Sequence, residues 1–310
     1  MWMPVVRNED EFDFVRALRE RGFVSQITNE RGLGAALRAP VTFYCGFDPT
    51  AASLHAGSLV QLMLMGNLTR AGHRAVAVVG GGTGRIGDPS GRDTQRDLLS
   101  EEKISENLHG IRAQIERFCP GVEVVDNAEW LSSLDYVAFL RDVGRYFSLN
   151  RMLSADSVRL RLDREQGLSF IEFNYMLLQA YDFLALHQSR NCTLQIGGQD
   201  QWFNILMGTE LVRKVRGAEC FGLTTPLLTT ATGAKMGKTA TGAVWLDPKL
   251  LSPFEYYRYW CECDDRDLER FFKLFTFLPL EEIEEILGGG VRTAKQRLAE
   301  EITKIAHGSG

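Results

Sequence analysis

No part of this 310-residue chain is apolar over anything approaching the roughly 20 residues that a bilayer-crossing helix needs, the run at 75–79 being typical. The opening Met-Trp-Met-Pro lacks the basic flank and apolar stretch of a secretory leader, so the chain reads as cytoplasmic with no membrane partner. Its six cysteines, Cys45, Cys119, Cys192, Cys220, Cys261 and Cys263, form no C-x-x-C pair and have no His-rich partner segment. That pattern argues against structural zinc or a disulfide framework and for reduced thiols, several of them buried. Excess positive charge is missing as well. A net charge of -5 argues against an extended basic surface for nucleic acid, though not against local clusters of Lys and Arg. Repeats and low-complexity tracts are absent. What is present is a globular composition, 45% hydrophobic and 24% charged, long enough for a large core and two domains.

Periodicity predicts a helix over 9–21, with Phe12, Val15 and Leu18 on one face and a stop at Gly22, then a second helix ending near Pro40. Residues 41–47 read as a strand, a turn at Asp48 and Pro49 leads to a helix over 53–71, and a strand over 75–79 runs into the Gly-rich 80–91. Strand, helix and strand in so short a span form the βαβ unit of a parallel sheet. Helices over 101–118 and 170–186 and strands over 122–125 and 193–196 repeat the pattern. The expected fold is therefore α/β, a doubly wound parallel sheet, with a smaller helical region from Ser252 onward. Such sheets bind ligands at the C-terminal ends of their strands, so the residues after 41–47, 75–79 and 193–196 should share one crevice. Residues 130–164, aromatic and of mixed charge, read as a helical insertion that covers the sheet or meets a second subunit.

At the first strand end, Ser53 is a candidate helix cap, His55 falls in the first turn and Gly57 lets a ligand approach the backbone. A helix N-terminus attracts phosphate, and an imidazole there can donate to phosphate oxygens. Taken alone this is a weak signal, since a His beside a helix start is more often structural. Lys235 and Lys238, in a Thr-, Ala- and Gly-rich run between Gly233 and Gly242, suit a charged polyphosphate developing negative charge, the bland alternative being a solvated basic turn. Tyr175, Gln179 and Asp182, spaced i, i+4, i+7, share one helix face; three polar residues make a poor core stripe, and Leu178, Tyr181 and Phe183 at the margins favour a pocket.

HAGS at 55–58 and KMGKT at 235–239 resemble the HIGH and KMSKS signatures of class I aminoacyl-tRNA synthetases. YCGFDPTA at 44–51, GGGTGRIGDPSG at 80–91, YMLLQAYDF at 175–183 and LQIGGQDQW at 194–202 resemble the tyrosine-specific members of that class, in the same order and over nearly the whole chain. The resemblance implies a Rossmann-like catalytic domain over 1–248, with the insertion near 130–165, and over 249–310 the start of an anticodon-binding part. It implies L-tyrosine, ATP with Mg2+ and tRNA(Tyr) as partners, a homodimer formed through the region 130–148, and no protein-bound structural metal.

By the same resemblance Tyr175, Gln179 and Asp88 would bind the substrate ammonium, and Tyr44 and Asp182 the phenolic OH. Gln195 and Gln201 would flank the amino acid, Gln201 near its carboxylate. Asp200 would take the ribose, with Gly46, Asp48 and Gly198 against the adenosine. His55, Gly57, Thr50, Lys235, Lys238 and Thr239 would gather around the phosphates, with Arg92 and Arg96 as further cations. Two positions depart from the family pattern. Ser58 stands where His is usual, with a shorter and uncharged hydroxyl, so a neighbour or water is expected to make that contact. Gln199 stands where Ser is usual. The ending Gly308-Ser309-Gly310 reads as a truncation with a cloning remnant, for which activation should survive and transfer to tRNA should be impaired. The competing readings are another HxGH-type nucleotidyltransferase and a non-catalytic RNA-binding or scaffolding relative.

Overall fold

The computed structural model describes residues 13–88, 100–164, 167–233, 236, 238–239 and 242–308, with backbone alone at 157, 238, 239 and 242. Helices α1 (Phe14–Glu20) and α2 (Glu30–Ala36) flank the short strand β1 (Gln26–Ile27). Then come β2 (Thr42–Phe47), α3 (Leu59–Arg70), β3 (Arg74–Val79), α4 (Glu101–Phe118) and β4 (Glu123–Asp126). The insertion is helical: α5 (Ala128–Leu131), α6 (Tyr136–Asp142), α7 (Leu149–Leu153) and α8 (Asp156–Asp163). The second half of the sheet comes next, as α9 (Phe170–Arg190), β5 (Cys192–Gly198), α10 (Trp202–Arg216) and β6 (Phe221–Thr225). After the pair β7 (Lys238–Thr239) and β8 (Gly242–Ala243), the chain ends in α11 (Pro253–Cys261), α12 (Leu268–Phe275), α13 (Leu280–Gly288) and α14 (Val291–His307).

The sheet order is β1-β6-β5-β2-β3-β4, parallel throughout except that β1 runs antiparallel to β6. The order reverses between β2 and β5, which makes their C-terminal ends the switch point where a ligand crevice opens. Side-chain alternation along the strands sorts the two faces. Phe43, Cys45 and Phe47 of β2 enter the core under α3 and α4, whereas Tyr44 faces the core shared with α9 and α10. On β3, Ala75, Ala77 and Val79 separate from Val76 and Val78 in the same way.

The strands and helices expected from periodicity lie within a few residues of their predicted places, with one difference that matters. The helix expected from residue 53 begins as a 3-10 turn at Ala56–Ser58 and becomes α-helical only at Leu59. His55 itself caps that turn, its Nδ1 accepting from the Gly57 N–H at 3.0 Å. Ser53 is no cap: its hydroxyl accepts the Asp247 N–H and the Gln114 amide. Of the helix expected over 9–21, the part before Asp13 lies outside the described residues; Asp13 caps α1 by accepting the Val15 and Arg16 N–H groups. Sequence reading passed over β6, whose Phe-Gly-Leu-Thr-Thr has no continuous apolar run, and β1, which is two residues long.

Helices α11–α14 share one continuous apolar core with α3 and the sheet, with Trp260, Tyr256, Phe271 and Phe272 fully buried in it. The buried Arg21 guanidinium donates to the carbonyls of Lys273, Thr276 and Leu278, closing the end of α12 with a residue from the other end of the chain. The insertion leaves Tyr136, Val137, Leu140, Leu149, Leu160 and Leu162 exposed. Among the described residues no helix is long and apolar enough to cross a membrane.

Gly110 of α4 packs against the segment that leads from β2 to His55, and a Cβ there would lie 2.2 Å from the Ala52 carbonyl oxygen. Backbone cannot yield as a flexible side-chain end does, so Gly110→Ala is expected to destabilise the fold by about 1–3 kcal/mol, read as a lower urea midpoint. An unchanged midpoint would mean that this contact is not constraining.

Candidate active site

The switch point opens into a cleft of 1770 Å³. From β2 and the segment after it come Tyr44, Gly46, Asp48 and Thr50, and from the next turn His55, Gly57 and Ser58. Asp88 lines it from beyond β3, Tyr175, Gln179 and Asp182 from α9, and Gln195, Gly198, Asp200 and Gln201 from β5 and its end. The structure thus brings together every predicted site residue whose side chain is described. Lys235, Arg92 and Arg96 lie outside the described residues, as do the side chains of Lys238 and Thr239, whose backbones pair with Ala243 and Gly242.

The deep end is polar, and nearly every polar atom is engaged. Asp182, on the buried face of α9, accepts from Trp130 Nε1 at 2.7 Å and from Asn127 Nδ2 at 3.1 Å. Asn127 donates to Thr83 Oγ1 as well, and its own oxygen accepts the Gly82 N–H at 2.8 Å. Thr83 in turn donates to Asp48, whose carboxylate also receives the Tyr175 hydroxyl at 3.1 and 3.2 Å. A single chain of hydrogen bonds therefore runs from Tyr175 through Asp48, Thr83 and Asn127 to Asp182. A second joins Asp88 to Gln201 Nε2 at 2.7 Å and Gln201 Oε1 to Gln179 Nε2 at 3.1 Å, with Asn204 donating to Gln179.

Two buried atoms are exceptions. Among the described residues, the Tyr44 hydroxyl and Gln195 Oε1 have no hydrogen-bond partner, although each residue is at most 2% exposed. They are neighbours in the sheet, where Tyr44 of β2 pairs with Gln195 of β5. Buried polar atoms of this kind are costly unless something meets them, so they mark where a polar ligand belongs.

Burial, more than the nearby Asp48 and Asp126 charges, pushes the Asp182 carboxyl up to about 7 against the pull of its two donors. Burial first, and then the Asp182 charge, raises the Tyr44 hydroxyl well above its ordinary value. Burial does the same to Tyr175, reinforced by the charges of Asp48, Asp88 and Asp182. Both phenols stay neutral. Around Tyr175 the site is electronegative, a setting that favours a cationic ligand group. Cys45 lines the cleft too, but burial lifts its thiol to about 12, so it is no thiolate nucleophile. Among the described residues no cluster of three or more His, Cys, Asp or Glu side chains is arranged to hold a metal ion.

At the other end, the HAGS turn is built around backbone. Because His55 Nδ1 accepts the Gly57 N–H, a neutral imidazole carries its proton on Nε2 and is a donor there. Only glycine fits at 57, where a Cβ would lie 2.7 Å from the His55 ring and 3.3 Å from the Met236 carbonyl oxygen. Met236, centre of the lysine signature, is therefore packed against this turn. The chain leaving that signature returns to the same place: the Ala56 N–H donates to the Val244 carbonyl at 2.8 Å, the Leu246 N–H to Leu54 at 2.9 Å, and His55 bridges Trp245. Ser58 lines the cleft and makes no capping bond from its side chain.

Sequence reading missed Thr83, Asn127, Trp130 and Asn204. Asn127 and Trp130 had a usable signal, since they lie just past β4, a parallel strand whose C-terminal end belongs to the same crevice. Thr83 and Asn204 lie inside recognised segments but carry no distinguishing spacing.

The family model described as "tRNA synthetases class I (W and Y)" matches residues 36–310. The tyrosine-tRNA ligase of Rhodospirillum rubrum is 56% identical over 96% of this chain and 73% of its own length. That of Desulfosudis oleivorans is 54% identical over 95% of this chain and 70% of its own length. Among solved structures, a C-terminally truncated mitochondrial tyrosyl-tRNA synthetase of Aspergillus nidulans superposes with a TM-score of 0.86 at 30% identity, covering 96% of this chain and 90% of that one.

The raised Asp182 carboxyl has a consequence for stability. Its folded value of about 7 lies above the unfolded value, so between about pH 4 and pH 7 the folded state holds the extra proton. Stability from this group is full below that window and falls as pH rises through it, by up to about 1.4 kcal/mol per pH unit. Asp182→Asn is expected to flatten the slope, measured by urea unfolding at several pH values. An unchanged slope would place the titration elsewhere.

Proposed function

This chain belongs to the class I tRNA synthetases of the tryptophan and tyrosine group, and we propose that it activates L-tyrosine with ATP and transfers the product to tRNA(Tyr). The observation that carries the choice of tyrosine is the buried pair at the bottom of the pocket, the unpartnered Tyr44 hydroxyl and the Asp182 carboxyl. A phenol gives a donor to one and an acceptor to the other. Phenylalanine gives neither and leaves both without the substrate's contact; in tyrosyl-tRNA synthetases, the enzyme group concerned, this discrimination is about 10⁵. Tryptophan brings one donor and a bulkier indole, for which this pairing has no use.

The proposed geometry is set by the electrostatics. The substrate ammonium takes the electronegative region of Asp88, Tyr175 and Gln179, beside Asp48, which the resemblance put against the adenosine and which here accepts the Tyr175 hydroxyl, while Gln195 and Gln201 flank the amino acid. ATP enters as its magnesium complex, the metal belonging to the substrate. Asp200, Gly46 and Gly198 are assigned to the nucleoside, and Thr50, His55, Ser58, Lys235, Lys238 and Thr239 to the phosphates. The tyrosine carboxylate attacks the α-phosphorus, the bond to the β-phosphate oxygen breaks and pyrophosphate leaves, so no protein nucleophile is needed. Catalysis is positioning, together with donors and cations aimed at developing charge.

A homodimer is proposed through the region 130–148, where Tyr136, Val137 and Leu140 of α6 are exposed apolar side chains. Residues 249–310 are proposed as the start of the anticodon-binding part. The cytoplasm is the proposed compartment, a setting that suits six free thiols.

Tyrosine-dependent exchange of labelled pyrophosphate into ATP is expected without tRNA, with phenylalanine and tryptophan inert, and Asp182→Ala is expected to lower it by about a hundredfold or more. Folded protein that binds ATP but exchanges nothing would replace this reading with that of a non-catalytic relative. In sedimentation the chain is expected at twice its own mass and Val137→Asp at the monomer mass. A monomeric parent protein would overturn the dimer.

A further inference from the structure

The lysine signature is approached by Thr229–Ala231, and this arm is held by a pair of residues from the helical region rather than from the sheet. Asp267 occupies the N-cap position of α12, yet its side chain makes no capping bond. Its carboxylate, on a residue 2% exposed, instead accepts the Ala231 N–H at 2.8 Å and pairs with Arg270. Arg270 Nη2 also donates to the Thr229 carbonyl at 2.6 Å. One N–H and one C=O of the arm are thus gripped from both sides by a single ion pair. Five residues beyond Ala231 the chain is pinned again, where the Met236 N–H donates to the Leu228 carbonyl at 3.1 Å and the Met236 side chain is buried. Met236 is bonded directly to Lys235, and its carbonyl lies against the Gly57 position of the HAGS turn.

The cap of this helix start is Asp264, whose side chain accepts the Arg266 N–H ahead of the 3-10 turn Asp265–Asp267 that runs into α12. Asp267 is not needed as a cap, and its buried carboxylate serves the arm and Arg270. We propose that Asp267 and Arg270 are positioning residues for the ATP step: they fix the arm that leads to Met236, which packs against the His55 turn, and so act on adenylate formation through the signature's Lys235 and Lys238. The inference rests on the adenylation reading above. It also gives the helical region a direct mechanical link to the phosphate end of the site.

The test is tyrosine-dependent pyrophosphate exchange by Asp267→Ala, Asp267→Asn and Arg270→Ala. Lys273→Ala serves as control, since its ammonium pairs with Glu269 on the surface of the same helix. Asp267→Ala and Arg270→Ala are expected to lower kcat, or kcat/KM for ATP, by tenfold or more while KM for tyrosine stays within twofold. Asp267→Asn, which keeps an acceptor for the Ala231 N–H, is expected to recover part of the loss. In a Lys235→Ala background Asp267→Ala should cost little more, because both changes remove the same contribution. Three results would overturn the proposal: ATP kinetics within twofold of the parent for folded Arg270→Ala and Asp267→Asn alike, equal losses for ATP and tyrosine, or a penalty that adds in full to that of Lys235→Ala. Should Asp267→Ala not fold, the other two variants decide. A parent chain with no exchange at all would instead remove the adenylation reading itself, a failure visible before any variant is compared.

Discussion

The deep polar end of the cleft hangs on the side-chain amide of Asn127. Both of its heteroatoms are used inside the protein: the oxygen holds the Gly82 backbone and the nitrogen serves Thr83 and Asp182 together. Through Thr83 it reaches Asp48 and so Tyr175. Asp48 and Asp182, two carboxylates near each other in a buried region, repel, and each is expensive to strip of water unless donors meet it. The network supplies those donors from the segment just past β4, from the Gly-rich segment after β3 and from α9. Since every donor is held by another element, the carboxylates have one arrangement, and the ligand meets a pocket already paid for in folding.

The two ends of the cleft are made by different means. The amino-acid end is side chain against side chain, rigid because it is buried. The phosphate end is backbone against backbone: the His55 turn is joined by hydrogen bonds to residues 244–246, and glycine at 57 admits the Met236 carbonyl. Such an end tolerates changes in side chain more readily than changes in path. Ser58 in place of the family's usual histidine fits that division, because the turn is closed by His55 and Gly57 and takes no bond from the Ser58 side chain.

Much of this was legible in the sequence because the chemistry is written at strand ends. Tyr44, Asp48, Gln195 and Gln201 lie in or just past apolar runs of strand length, and the face of Tyr175, Gln179 and Asp182 showed itself by polar residues where a core stripe should be. The features that stayed hidden depended on contacts between distant segments. Ser53 looked like a helix cap, and only the approach of Gln114 and Asp247 shows why it is not one. Asn127 and Trp130 belonged to a strand whose end was not counted, and β6 carried too much Thr and Gly to resemble a buried strand. Asp267 and Arg270 fall in the helical region from Ser252 onward, where nothing in their spacing points to the arm they hold.

Charge sorts the substrates along this cleft. The region of Asp48, Asp88 and Tyr175 favours a cationic group and repels a polyphosphate, so ATP bound there in the wrong sense would meet carboxylates in a medium that screens them poorly. At the opposite end stand the His55 imidazole, the 3-10 turn that leads into α3 and, by sequence, the two lysines of the signature. In the proposed reaction a zwitterionic amino acid would satisfy the first region with its ammonium and present its carboxylate toward the second. On that proposal the nucleophile needs no activation by the protein: the same field that holds the ammonium orients the attacking oxygen. What remains for the protein is to keep the cations of the phosphate end in register with it, which is the part the helical region reaches.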